Sequence, residues 1–533
     1  MSVFKSISKC LHLLILLALL LSSAVVVLPV SAATIVVTSN LDVFADDGVC
    51  TLREAIHNAN NNIQQYTSTG ECAAGSAGAD VITFASDYTI TLTSQLRLKI
   101  TSEITIAGRG SQKTIIQAST CDPIEKPEDC TPANHGVIEI ELDGYLTLKD
   151  VTIRHGNAYS GAGIFNRNSL ILEDSIIISN QAEYFGGGLL NNGPDTTATI
   201  KNSGFYGNRT DVVAPLTGGG AISNHHGTMV IQSSNFVQNS APVNGGGILN
   251  LDFSTLTVTG SSFSFNTATA DGGAIFNNGN LTVTGSSFYK NEAELGGGIR
   301  NEGWIGKIVV SNTSFSENKA IHGGAIDNDG QGENLSAIIA SSFIENTARG
   351  TGGAIRHLGN MWIINSTLSG NQADNSGGGI WNKGRLWVDF STLTGNTTAP
   401  GEGGGIHNAA SASLVNLNYS NTIIANSTGG DCVNHATIDL QSTHNLVQDG
   451  SCNASNSGDP KLGQLKDNGG PTLTHALLPG SPAIDAADMT DDCPPIDQRG
   501  VSRPKGKACD IGAFEFNPAT DGGYFIYLPL VLR

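Results

Sequence analysis

The strongest constraint in this sequence is a glycine-rich turn that recurs about every 26 residues, each time followed by an apolar residue at the same phase. That residue falls at Ile164, Leu189, Ile222, Ile248, Ile275, Ile299, Ile326, Ile355, Ile380 and Ile406. The steps are 24 to 29 residues, with one of 33 into Ile222. Two residues further on stands Asn166, Asn191, Asn224, Asn250, Asn277, Asn301, Asn328, Asn382 or Asn408, with His357 as the exception. Self-similarity at a fixed period is the mark of a stacked repeat architecture. A flexible glycine linker is excluded, because it would keep no phase. A collagen rod is excluded too, because glycine does not occupy every third position.

Each unit holds two further short runs. One alternates, as in Leu256-Thr257-Val258, Leu281-Thr282-Val283 and Leu386-Trp387-Val388. The other places an apolar residue three before an asparagine: Phe236 and Asn239, Phe263 and Asn266, Phe288 and Asn291, Phe315 and Asn318, Phe343 and Asn346, Leu368 and Asn371, Leu393 and Asn396. Period-two alternation over three to five residues, bounded by Gly, Asn, Ser or Thr, reads as strand rather than helix. Three short strands per unit describe one coil of an all-β, right-handed parallel β-helix. A single coil cannot bury its own apolar face, so the coils must stack. The asparagines suit the corners, because Asn tolerates left-handed backbone, and stacked Asn side chains can form ladders. The leucine-rich pattern L-x-x-L-x-L is absent, as is the G-G-x-G-x-D of calcium-binding β-rolls.

The ends differ from the middle. Lys5 and Lys9 precede an apolar run from Leu11 to Leu21, continued from Ala24 to Leu28, and Val30-Ser31-Ala32 offers small residues for cleavage near Ala33. This reads as a secretory signal over residues 1–33. No later stretch approaches the roughly 20 apolar residues of a spanning helix. Beyond Cys10 in the signal, eight cysteines remain: Cys50, Cys72, Cys121, Cys130, Cys432, Cys452, Cys493 and Cys509. Eight allow 105 pairings, and their grouping in sequence favours 50–72, 121–130, 432–452 and 493–509. Without a C-x-x-C, a thiolate zinc site is not expected. The net charge of −19 repels phosphate backbones and argues against nucleic acid as a partner.

Residues 34–160 keep the alternation without the glycine turn, as in Val81-Ile82-Thr83-Phe84 and Ile104-Thr105-Ile106, and read as a cap and irregular first coils. Within them, Asp46-Asp47-Gly48-Val49-Cys50-Thr51-Leu52-Arg53-Glu54-Ala55-Ile56 resembles the N-terminal CSLREA motif of exported repeat proteins, with Thr51 in place of the usual Ser. A short helix from Leu52 is expected to cap the open end of the stack. The regular repeats, 161–430, resemble those of polymorphic outer-membrane proteins. Residues 431–516 carry Asp467-Asn468-Gly469-Gly470-Pro471-Thr472, Gly480-Ser481-Pro482-Ala483-Ile484-Asp485, Asp497-Gln498-Arg499-Gly500 and Cys509-Asp510-Ile511-Gly512-Ala513-Phe514-Glu515, and resemble the choice-of-anchor Q domain. These resemblances imply a secreted or cell-surface protein. Residues 517–533 form a link and an apolar tail, which reads either as a sorting signal or as a last strand.

Candidate chemistry is sparse. The residue after each first-run Ile or Leu should point out of the coil, giving a column that ends in Arg300, Asp327, Arg356, Trp381 and His407. Arg and Asp would suit sugar hydroxyls or uronates, and Trp381 would stack on a sugar face. The competing reading is a stack of solvated charges paired from coil to coil. Asp42, Asp46 and Asp47 form an acidic loop with oxygens for Ca²⁺, and Asp327-Asn328-Asp329-Gly330 forms a second. No other cofactor is suggested. His225-His226 reads as a solvated pair in a turn. The expectation is a structural or adhesive protein that binds polysaccharide or cell-surface components without catalysis. The alternative is a carbohydrate-active enzyme, a lyase or glycosidase, which would need acids and bases close together on neighbouring coils.

Overall fold

In the computed structural model, residues 32–125, 130–303, 306–330, 335–410, 416–438, 442–488 and 493–521 are described. Nearly all of the signal segment, and the tail beyond 521, lie outside them. The fold is a parallel β-solenoid of about 13 turns with about 27 residues per turn. Three long parallel sheets run along the rod. Sheet I has 13 strands, from Leu98–Ile100 to Cys432–Asn434, and contains the strand after each glycine turn. Sheet II has 15, from Thr34–Val37 to Thr437–Ile438, and sheet III has 14, from Tyr88–Thr91 to Leu446–Val447. The ladders thus continue past residue 430, so the last coil takes in the first part of the segment that resembles choice-of-anchor Q.

The repeat phase in sequence becomes register in space. Ile275 pairs with Ile299 and Asn277 with Asn301; Phe263 pairs with Phe288. Stacking like on like makes continuous columns inside the coil. The Ile and Leu of sheet I are fully buried, as are Phe205, Phe236, Phe263, Phe288, Phe315 and Phe343 of sheet III. These six rings stack nearly parallel, with centroids 4.6 to 5.0 Å apart. That spacing is the rise of one coil, about 4.8 Å.

Two buried asparagine ladders hold the corners. In one, each side-chain amide donates to the next coil's Oδ1, from Asn166 through Asn328, at 2.6 to 2.9 Å. The other runs from Asn180 to Asn396, at 2.9 to 3.1 Å. Here the Asn backbone N–H also donates to the next coil's Oδ1, and Nδ2 reaches a carbonyl of the preceding coil, as from Asn291 to Phe263 at 3.0 Å. Every polar atom of these buried amides therefore has a partner, the condition for burying them without penalty. The left-handed residue of this corner is the one before the asparagine, such as Gln238, Phe265, Lys290, Glu317 or Glu345. The ladder Asn is chosen for its amide and not for its backbone.

His357 fills the gap in the first ladder. Its Nδ1 accepts from Asn328 Nδ2 at 3.1 Å, and its Nε2–H donates to the Arg385 carbonyl at 3.0 Å. The imidazole takes one bond and gives one, as an Asn would, but the link to Asn382 is lost.

Helix α1, Leu52–Asn61, closes the open N-terminal end with Leu52, Ala55, Ile56 and Ala59 buried. Thr51 and Glu54 form a reciprocal capping box, so the threonine serves at the N-cap as a serine would. The four disulfides are the sequence-local ones: 50–72, 121–130, 432–452 and 493–509.

The segment after residue 458 docks on the outer face of sheet III. Thr367 Oγ1 donates to Gln498 at 2.6 Å, and the Ala513 N–H donates to Thr392 Oγ1 at 3.0 Å. Leu477, Ala483, Ile511 and Phe514 form a small second core against Phe390, Ile423 and Leu446. The motif residues build a buried polar network behind it. Arg503 pairs with Glu515 at 3.2 Å, with both side chains fully enclosed, and donates to the Gly512 carbonyl at 2.6 Å. Burial pushes Asp510 up to about 7 while it accepts from Asp485 and Phe516.

Burial likewise holds His357 down at about 4, against an ordinary value of 6.5. The unfolded chain binds this proton first, so stability is complete above pH 6.5 and falls as pH drops towards 4. The gap corresponds to about 3 kcal/mol. His357→Asn is expected to reduce the slope of stability against pH between pH 6.5 and 4, measured by unfolding in urea at stepped pH, with His225 carrying part of what remains. Removing one partner of the enclosed pair, as in Arg503→Met, should cost about 3–5 kcal/mol, seen as early hydrogen exchange across residues 497–516.

Candidate binding site

Between sheet III and the glycine turn, many coils carry a fourth, shorter strand that the sequence reading did not include: Ser240–Ala241, Thr267–Ala268, Lys319–Ala320, Thr347–Ala348 and Gln372–Ala373 among them. Single bridges from Thr267 to Glu292 and from Glu292 to Lys319 continue the ladder. The chain then turns back through the glycines. A Cβ on Gly273 would lie 2.3 Å from the Gly297 carbonyl oxygen and 2.6 Å from the Glu292 backbone nitrogen. Only glycine lets the returning limb lie against the outgoing limb of the next coil. The two limbs together make a ridge along the rod.

On one flank of this ridge lies the outer column of sheet I. The register aligns Phe276, Arg300, Asp327, Arg356, Trp381 and His407 on successive coils. The charges pair from coil to coil as the competing reading has it, but out of solvent. Asp327 is 0% exposed and Arg300 4%. Alternation sends these side chains away from the core, but the neighbouring turn covers them. Asp327 accepts from Arg300 Nη1 at 2.7 Å and from Arg356 Nε at 2.8 Å, one guanidinium per carboxylate oxygen. Arg300 also reaches Asp329 at 3.4 Å, Glu302 at 3.7 Å and Asp271 at 4.0 Å. Desolvation raises the Asp327 carboxyl and the two guanidiniums oppose it; the charge of its carboxylates keeps Arg300 raised despite its own burial.

This part of the column is thus a spent ion cluster. A general acid or base must be reached by its substrate, and Asp327 is fully enclosed with each oxygen held by a guanidinium. Trp381 continues the column half-buried. His407 turns to its own coil, with Nδ1 3.2 Å from the Glu402 carbonyl and 3.5 Å from its carboxylate. The group with the character of an acid–base residue is Asp271, which burial pushes up to about 6. It escaped the sequence reading because it sits just before the glycines, in the turn column rather than the strand column.

The acids of the first candidate calcium loop have separate environments. Asp42 is buried and bound to Arg53 at 2.7 and 3.3 Å, and it accepts from the Ser94 N–H at 2.9 Å. Asp46 and Asp47 stay exposed. Among the described residues, no three His, Cys, Asp or Glu side chains converge as a metal site. His225 is not a solvated turn residue either. It ends the strand Ile222–His225, bonds Ser223 Oγ at 2.8 Å and packs edge-on to Phe185; burial holds it down at about 4.

The other flank of the ridge is open. A groove of about 700 Å³ runs along the fourth strands, lined by Ala241, Ala268, Ala293, Ala320, Ala348 and Ala373. These alanines are buried yet stand outside the apolar core of the coil. At one coil per step their column spans about 24 Å. Ser240, Thr267, Glu292, Lys319 and Gln372 border it on one side; Thr269, Glu294, Arg349 and Asp374 border it on the other. Donors and acceptors alternate, and neither sign of charge dominates. On sheet II, Trp362 and Trp387 form an aromatic pair with centroids 6.1 Å apart, Trp362 being 40% exposed.

The family model of the Chlamydia polymorphic membrane protein repeat matches residues 365–383, which span one glycine turn. No curated protein matches the chain. Similar solved structures include the catalytic domain of GH87 α-1,3-glucanase in complex with nigerose, at 13% identity and a TM-score of 0.32, covering 69% of this chain and 63% of that one. Another is the tailspike protein of E. coli bacteriophage HK620 in complex with pentasaccharide, at 12% identity and 0.33, covering 71% and 73%. Pectate lyase Pel9A follows at 14% identity and 0.25, covering 82% and 88%. The chain therefore spans less than two thirds of the glucanase domain.

The ion cluster makes its own prediction. Asp327→Ala removes the shortest partner of the buried Arg300 and of Arg356 and is expected to cost about 1–3 kcal/mol. An unchanged unfolding midpoint in urea would contradict a structural role for the cluster.

Proposed function

We propose that this chain is an exported, surface-displayed or secreted β-helix rod that binds an extended neutral glycan along the alanine-lined groove and breaks no bond in it. The groove carries the proposal. It is straight, runs for six coils and offers hydroxyl, amide and mixed-charge groups at each step. An extended sugar chain needs the same repeating supply of donors and acceptors, and a floor of small side chains admits its rings. The balanced charge of the walls favours a neutral chain over a polyanion. Four disulfides fit an oxidising compartment. The polymorphic membrane protein repeat, the CSLREA-like start and the choice-of-anchor Q-like end support surface display in the same direction.

A second reading rests on Asp271. A half-buried carboxyl pushed up to about 6 beside Arg300 has the pKa of a catalytic acid. It lies on the sheet I flank, where Asp327 is already spent. Hydrolysis or elimination there would be abolished in Asp271→Asn.

The test is glycan binding by the chain from residue 33 to 533. Wild type should bind neutral linear polysaccharides, and Thr267→Tyr with Glu292→Tyr, at exposed positions on the border of the groove, should abolish that binding without lowering the melting temperature. Binding that survives both tyrosines would remove the groove from the account. Release of reducing ends or unsaturated products, lost in Asp271→Asn, would replace adhesion with catalysis.

A further inference from the structure

A cavity of about 400 Å³ opens where helix α1 meets the first strands of sheet I. The helix presents Ile56 and His57, the first strand of sheet I and the turn before it bring Leu96 and Arg97, and the next coil brings His135 and Glu139. The whole chain has a charge of −19, yet this cavity gathers Arg53, Arg97, Lys99 and two histidines.

Most of these charges are engaged. Arg53 is held by Asp42 and the Leu96 carbonyl, and Lys99 by Glu141 at 3.0 Å. Glu139, the acid of the lining, lies 3.4 Å from Arg167. Arg97 differs. Its Nη2 donates to the Ser160 carbonyl at 2.7 Å, while its Nη1 is buried with no hydrogen-bond partner. Desolvation lowers its pKa and the charge of Glu139 offsets that only in part, so the folded chain bears a cost for holding this cation.

The histidines have defined tautomers. His135 Nδ1 donates to the Gly136 carbonyl at 2.9 Å, which leaves Nε2 as an acceptor. Asn61 Nδ2 approaches His57 Nδ1 at 3.4 Å, which leaves the proton on Nε2 as a donor. The cavity therefore offers a guanidinium N–H, an imidazole N–H, an imidazole lone pair and the apolar edges of Ile56 and Leu96.

We propose that this cavity binds a carboxylate that carries a neighbouring hydroxyl on a ring, the chemistry of a hexuronate. The carboxylate satisfies Arg97 Nη1, as charge-assisted bonds to guanidinium do. The hydroxyl donates to His135, and the ring's C–H face lies against Leu96. This site is separate from the ridge groove, and its occupancy does not depend on glycan binding there.

The experiment is calorimetric titration of the chain from 33 to 533 with digalacturonate, its methyl ester and sodium sulfate. Digalacturonate should bind, and the ester should bind at least about tenfold more weakly. Arg97→Gln should weaken the acid to the same degree and leave the ester unchanged. Because Arg97 also holds Ser160, His57→Leu on the helix face gives a second variant, expected to weaken binding with no shift in melting temperature. Sulfate binding as tightly as the uronate would make this a general oxyanion site and overturn the assignment. So would equal binding of acid and ester by wild type, or no binding at millimolar concentrations.

Discussion

Everything in this rod depends on the buried side-chain amides that pass a hydrogen bond from each coil to the next. Apolar columns alone favour stacking, but they tolerate sliding, because isoleucine packs on isoleucine in more than one offset. An amide sealed inside a corner does not. If the coils slip by one residue, each Asn loses its acceptor and keeps its desolvation cost, about 1–3 kcal/mol per group. The ladders from Asn166 to Asn328 and from Asn180 to Asn396 apply this penalty at two corners of almost every repeat. Register is thereby fixed along the whole stack.

Register in turn creates the surfaces. The phenylalanine stack, the ion cluster on sheet I and the alanine-lined groove are all columns made by placing the same repeat position on successive coils. The glycine pair adds the ridge that separates the two flanks. It covers the sheet I column, where Arg300 and Arg356 each hold one oxygen of Asp327, and leaves the fourth-strand side open. One flank is thus a closed electrostatic staple and the other an accessible path. At the ends, helix α1 and the docked segment after residue 458 shield coil surfaces that stacking leaves bare.

Much of this was legible in the sequence. The period, the three strand runs and the isoleucine and phenylalanine columns all follow from spacing. The cap helix was legible in the CSLREA-like run from Asp46 to Ile56, and the disulfides in the local grouping of cysteines. What failed did so for physical reasons. Alternation tells which side chains leave the core, but not whether another turn lies over them, so Asp327 was expected in solvent and is enclosed. Asp42 was read as a loop acid because its partner Arg53 stands on a helix that only the fold brings near. The asparagines were credited with left-handed backbone, which at the second ladder belongs to the residue before them and at the first ladder is not used. The fourth strand is two residues long and has no alternation to detect. Its trace was the recurring Asn-x-Ala of Asn266-Thr267-Ala268, Asn291-Glu292-Ala293 and Asn318-Lys319-Ala320.

The most direct measurement of the central claim is a crystal structure of the chain from residue 33 to 533 grown with a neutral linear oligosaccharide. The account predicts sugar rings laid parallel to the rod axis over Ala268, Ala293 and Ala320, stepping from coil to coil in phase with the ladders. Sugar seated instead on the opposite flank, with its glycosidic oxygen against Asp271 and its ring on Trp381, would contradict it.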